Sequence, residues 1–240
     1  MKLSKENYYE LYNKYEKPPS TIFHKYISKK LAKFFTFYFL KLNLTPNILS
    51  VLTTFFVLVG ASSLNLISNT TGQIIFLVCL QFSYVIDCSD GVVARISKKS
   101  SSFGAYLDIT LDRINIFLVY LGLGVYLNSI HPFTEFTALL YIFSAIFYFH
   151  YQLMALLRKH YFPLLDGFMK SNNSESLIRI IVKFIYEFID TGIFFFILSL
   201  SVFLDIVLGV VVFYGLIGLA LSLAMYIFLY NINRDESRKK

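Results

Sequence analysis

The chain has 240 residues, 56% of them hydrophobic and only 15% charged, with 26 Phe, 18 Tyr and no Trp, and a formal net charge of +7. A chain so apolar and so sparsely charged is not built as a water-soluble domain. Its Lys and Arg lie in short connections between apolar tracts, so the positive charge reads as membrane topology and attraction to anionic headgroups, not as nucleic-acid binding.

In chain order, residues 1–19 are polar and Tyr-rich and read as a tail that ends at Pro18-Pro19. Ser20 or Thr21 can cap a helix over residues 20–41. In it Phe23, Ile27, Leu31, Phe34 and Tyr38 recur at helical spacing while Lys25, Lys29 and Lys33 fall on another side. That pattern predicts an amphipathic helix lying in the membrane interface. No Asp, Glu, Lys or Arg occurs between Lys41 and Asp87, and further charge-free tracts cover Ile114–Thr134, Phe136–Leu157 and Ile206–Asn233. A spanning helix needs about 20 mostly apolar residues. The fold class expected is therefore all-α and polytopic, with about six transmembrane helices in a membrane domain over residues 42–233 and a basic tail over residues 234–240. The spans are placed at Asn47–Ile67, Gln73–Ala94, Gly104–Leu127, Phe133–Leu157, Tyr186–Leu204 and Ile206–Tyr230. Glu187 and Asp190 lie in the first turns of the fifth. No removable signal peptide is expected, since no basic segment leads into a short apolar core with a small-residue cleavage site.

The connections Asn65–Gly72, Asn128–Pro132 and Asp205 carry no Lys or Arg, whereas the alternate ones do. This asymmetry puts both termini in the cytoplasm and the segment after the second span at the cytoplasmic face. Cys79 and Cys88 fall about two and a half turns apart on one helix, too far to form a disulfide, and read as packing residues. Asn69-Thr70-Thr71 fits a glycosylation sequon by chance. His24, His131, His150 and His160 have no partner spacing. Residues Leu164–Ser176 read as the one substantial loop.

The chemistry concentrates in residues 87–114, DCSDGVVARISKKSSSFGAYLDITLDRI. Asp87, Asp90, Gly91 and Ala94 share one helix face, and Gly104, Asp108 and Asp112 share a face of the next helix. A short connection makes the two helices antiparallel neighbours, so four carboxylates converge near the cytoplasmic surface. A charge in lipid is costly unless paired or coordinated. Arg95 and Arg113 are too few to neutralise the group, and each is placed to reach toward headgroups. With oxygen donors alone, the set suits hard divalent cations, two Mg2+ or Mn2+, which can clamp a phosphoryl group. Gly91 and Gly104, on the same faces, leave room for a diphosphate near the backbone; close helix–helix contact is their other use. Two readings stand beside this one: buried ion pairs without chemistry, and an ion or proton path across the bilayer. A path would want polar residues continuing toward the far side, and the first and third spans carry few.

The stretch fits D-x2-D-G-x2-A-R-x8-G-x3-D-x3-D at each fixed position, and Thr45-Pro46-Asn47 precedes the first span. This resembles the CDP-alcohol phosphotransferase family (CDP-alcohol phosphatidyltransferases). The resemblance implies an enzyme that cleaves the diphosphate of a CDP-linked alcohol, typically CDP-diacylglycerol, and passes the phosphoalcohol to a hydroxyl acceptor with release of CMP. Some relatives instead transfer a small headgroup from its CDP ester to a lipid or polyol. By position it implies that Asp87, Asp90 and Asp108 hold metal, that Asp112 completes a second metal site and acts as general base, and that Asn47, Gly91, Ala94, Arg95 and Gly104 line the CDP site. Similarity is greater to bacterial or archaeal members that use a polyol phosphate, whose phosphate would want cations; Arg113, Arg158, Lys159, Arg179 and Lys183 are the candidates, each also an ordinary cytoplasmic-side charge. Family members are often dimers, so a homodimer is a further expectation.

Overall fold

The computed structural model of the protein describes residues 5–16, 21–67, 69–161 and 190–237, and for Lys5 and residues 157–161, 228–229 and 231–237 it describes the backbone alone. All regular structure among the described residues is helical. The helices are α1 (Lys5–Tyr15), α2 (Lys29–Lys41, entered through a π-turn at His24–Ser28), α3 (Pro46–Leu66), α4 (Thr70–Ile96), α5 (Ser102–Ile130), α6 (Glu135–Tyr161), α7 (Thr191–Phe203) and α8 (Val207–Ser237). Five of them, α3 to α6 and α8, are long and apolar enough to cross a membrane, as an all-α polytopic protein requires.

The fifth expected span differs. Residues 186–189 of it lie outside the described residues, and α7 has 13 residues, about 20 Å of helix against a hydrocarbon core of about 30 Å. Its start is fixed chemically. Asp190 is the N-cap, its carboxylate accepting from the Gly192 amide at 3.0 Å and from the Tyr84 hydroxyl at 3.1 Å. An acid that looked out of place in an apolar tract is thus a helix cap.

Residues 1–19 were expected to form a tail, and the structure corrects this: Lys5–Tyr15 is a packed helix. Tyr8 and Tyr12 are each 1% exposed and pack with Val92 of α4. A four-residue spacing puts both rings on one side of α1, which a search for aliphatic periodicity does not register. Of the expected stripe, Ile27 in the π-turn and Leu31, Phe34 and Tyr38 of α2 are exposed, whereas Phe23 is half-buried against Phe196; Ala32, Thr36 and Phe39 are the buried side of α2. An exposed apolar stripe on a helix leading into α3 is what interfacial burial in lipid demands.

Local chemistry sets the other turns. Thr45 caps α3 with Pro46 at its first position, and Asn69 caps α4 through the amides of Thr71 and Gly72, so the sequon asparagine has a structural use. Helices α2 and α4 end with Asn43 and Lys98 at positive φ, and the Leu44 and Lys99 amides close back on the Phe39 and Ala94 carbonyls. These closures reverse the chain in a few residues. Serines and threonines on the apolar helices, such as Thr53, Ser83, Ser89 and Ser199, donate to carbonyls three or four residues back, which satisfies them without water.

The chain divides into two compact units, Met1–Tyr126 with Leu177–Asp205, and Leu127–Ser176 with Ile206–Lys240. In the first, Phe39, Leu49, Ile86 and Val93 join α2, α3 and α4 in one core. Gly122 of α5 lies so close to α3 that an added Cβ would stand 2.8 Å from that of Ala61; small residues let membrane helices approach this way. In the second, Gly215 and Gly218 of α8 sit against the backbone of α6 at Ser144 and Tyr148, and His150 bonds Ser222 at 3.1 Å and Tyr226 at 3.2 Å. Cys79 and Cys88 are both unpaired.

Candidate active site

Helices α4 and α5 are joined by residues 97–101, with Ser101 capping α5 by accepting from the Gly104 amide at 3.0 Å. This tight connection makes the two helices antiparallel and brings their aspartates together. One carboxylate oxygen each from Asp87, Asp90 and Asp108 lies within 4.8 Å of the others. Asp112 is outside that tight group and lines a second cavity together with Asp87. Two ionised carboxylates at such a separation repel by about 3 kcal/mol per pair in an effective dielectric of ~20. Three such acids held together call for a cation, and their all-oxygen donor set fits a hard divalent ion. The protein could hold at least one such ion here.

Two cavities flank the aspartates. The outer one, of about 210 Å³, is lined by Asp90 and Asp108. Asn47, Gly91, Ala94, Arg95 and Gly104, assigned to nucleotide binding from sequence, all line this same cavity. Its glycines have visible work. A Cβ on Gly104 would stand 3.0 Å from the Asn47 side-chain oxygen, and one on Gly91 would stand 3.2 Å from an Arg95 guanidinium nitrogen. Both glycines therefore make space for a polar side chain of the cavity wall, and Gly104 is not a bare helix contact.

The inner cavity is smaller, about 30 Å³, and is lined by Asp87, Asp112 and Arg113 together with Thr53, Ser83 and Tyr84. The two arginines of this stretch have different surroundings. Arg113 lines the inner cavity, and Arg95 donates from Nε to the Tyr15 carbonyl at 2.7 Å. Of the other proposed acceptor cations, Arg179 and Lys183 and the side chains of Arg158 and Lys159 lie outside the described residues.

Several lining residues escaped the sequence reading. Ser50 donates to Asp90 Oδ2 at 2.9 Å and also lies 3.3 Å from the Pro46 carbonyl. Asn115 is 4% exposed and its side-chain oxygen has no hydrogen-bond partner; it too lines the inner cavity. A signal was present: Asn47, Ser50 and Thr53 recur every three residues on α3, and Ser83 and Asn115 stand four residues before Asp87 and three after Asp112.

Comparison with known proteins gives two findings. The family model for CDP-alcohol phosphatidyltransferase matches residues 43–170, slightly more than half of the chain. An uncharacterized protein of Aquifex aeolicus (strain VF5) is 33% identical over 92 residues, which cover 38% of this chain and 45% of that protein. The chain thus matches less than half the length of that relative.

Proposed function

The chain belongs to the CDP-alcohol phosphatidyltransferase family, whose members are transferases of substituted phosphate groups, and from that premise we propose that it moves a phosphoalcohol from a CDP-alcohol to a hydroxyl acceptor, releasing CMP, in phospholipid biosynthesis. The observation that carries this reading is the meeting of Asp87, Asp90 and Asp108 within 4.8 Å between helices apolar enough to lie in a membrane. The donor favoured is CDP-diacylglycerol, whose acyl chains suit the lipid around the helices and whose nucleotide suits the outer cavity beside Asn47, Arg95 and Gly104. The acceptor favoured is a polyol or polyol phosphate, entering the inner cavity where Arg113 and the hydroxyls of Thr53 and Ser83 can meet it.

The division of labour follows from the residues. Asp87, Asp90 and Asp108 would hold Mg2+ or Mn2+, with Asp112 completing a second site. Bound there, divalent cations supply charge neutralisation for the diphosphate and for the CMP leaving group. Asp112 takes the proton of the acceptor hydroxyl. The freed oxygen forms a bond to the phosphorus that bears the donor's alcohol, and the bond from that phosphorus to the bridging oxygen breaks. Its electron pair departs with CMP. Arg95, whose guanidinium lies over Gly91, neutralises phosphate charge on the nucleotide side. Ser50 orients Asp90. The active site faces the cytoplasm, where water-soluble CMP can leave.

The test is to incubate the purified protein with CDP-diacylglycerol, Mg2+ or Mn2+, and a panel of polyols and polyol phosphates, then measure CMP and weigh the lipid product. CMP release with one acceptor of the panel is expected, together with a loss of about 10²–10⁴-fold in Asp112→Asn at unchanged fold. Folded protein that releases no CMP from any CDP-alcohol overturns the reading.

A further inference from the structure

Arg95 leaves the catalytic helix pair and reaches α1. Its Nε donates to the Tyr15 carbonyl at 2.7 Å, one of the carbonyls at a helix C-terminus that lack an intrahelical partner. A cation there also meets the negative end of the helix dipole. With Nε engaged, the guanidinium nitrogens lie over Gly91 in the wall of the outer cavity, 3.2 Å from where a Cβ would stand. Arg95 is thus held from behind by one helix while its terminal donors border the cavity.

Helix α1 is firmly seated for such a task. Tyr8 and Tyr12 are 1% exposed, and the Tyr8 hydroxyl donates to the Lys33 carbonyl. The Lys33 ammonium lies 4.9 Å and 5.4 Å from the ring centres of Tyr9 and Tyr12 and donates to Asn13 at 2.9 Å. Glu16, one residue beyond Tyr15, pairs with Lys29 at 3.1 Å. These contacts fix the end of α1 that meets Arg95. The matched family segment begins at residue 43, so this helix lies outside that segment.

We propose that α1 is a positioning strap for nucleotide binding: by holding Arg95 through the Tyr15 carbonyl, it presets the guanidinium toward the phosphates of a cytidine nucleotide in the outer cavity. The inference rests on the outer cavity being the nucleotide site. A guanidinium already fixed loses less rotamer freedom on binding than a free one, so preorganisation appears as affinity.

The experiment measures CDP binding by calorimetry in detergent with Mg2+ present. It uses the full-length protein, a deletion of residues 2–16, and full-length Tyr8→Ala/Tyr12→Ala, which unseats α1 without shortening the chain and answers the question if the deletion does not fold. Each perturbation is expected to weaken CDP binding about ten-fold, the scale of one charge-assisted hydrogen bond. Arg95→Ala should weaken it similarly, and adding either α1 change to Arg95→Ala should weaken it no further, since coupled residues are non-additive. Unchanged affinity on unseating α1, or a loss that persists in full in the Arg95→Ala background, overturns the strap. Full-length protein that binds no CDP overturns the nucleotide-site reading along with it; full-length protein that binds while the α1 variants bind equally well overturns the strap alone.

Discussion

Ser50 decides how Asp90 is presented. Its hydroxyl holds one carboxylate oxygen at 2.9 Å in a buried setting, and an oriented carboxylate is a better ligand than a mobile one. Replacing Ser50 with Ala removes that donor without adding bulk. The Mg2+ concentration giving half-maximal CMP release should rise about 10–100-fold, read from metal titrations of the variant and the parent. An unchanged titration would assign Ser50 to helix packing alone. Asp112 stands differently: it lies outside the three-oxygen group and lines the inner cavity beside Arg113. Asp112→Asn therefore tests the proposed base together with the second metal site, whereas Ser50→Ala tests only how Asp90 is presented.

At the scale of elements, the start of α7 is clamped to α4 and to the segment before α2 by Asp190. Its carboxylate accepts from Tyr84 at 3.1 Å and from Thr21 at 3.0 Å, and Gly192 leaves no room for a Cβ beside the Tyr84 and Phe23 rings. His24 lies at this junction, its ring edge-on to Tyr84. Burial lowers its pKa below the usual 6.5, with the negative charge of Asp190 opposing the shift. A histidine lowered in the folded state favours folding only while neutral. Its contribution is therefore fully present above the unfolded value of about 6.5 and is lost as pH falls through the folded value. Thermal unfolding in detergent should shift downward between pH 7.5 and 5.5, and His24→Gln should shrink that shift. An equal shift in the variant would place the pH sensitivity elsewhere.

At the scale of the molecule, loop charge predicts an orientation. The connection from α4 to α5 carries Lys98 and Lys99, whereas the one from α5 to α6 carries neither Lys nor Arg. Cytoplasmic loops collect Lys and Arg. In sealed cells, with Cys79 and Cys88 replaced by Ser, a membrane-impermeant thiol reagent should label His131→Cys and spare Ser100→Cys; the reverse pattern would invert the site relative to the cytoplasm. The sequence by itself determined the helical class, five of the spans and the two aspartate faces, because hydrophobic length and a spacing of three or four residues are local properties of a chain. The family resemblance carried by the aspartate motif also pointed to five residues that line one cavity. Only the tertiary structure decided that residues 5–15 pack as a helix, that Ser50 serves Asp90, that Arg95 is held by Tyr15 and that Asp190 ties the start of α7 to Tyr84 and Thr21. Each of these is a meeting between residues 40 or more positions apart, or a packing of tyrosines whose burial depends on what lies against them. Such meetings are fixed by how helices cross, and no local periodicity encodes a crossing.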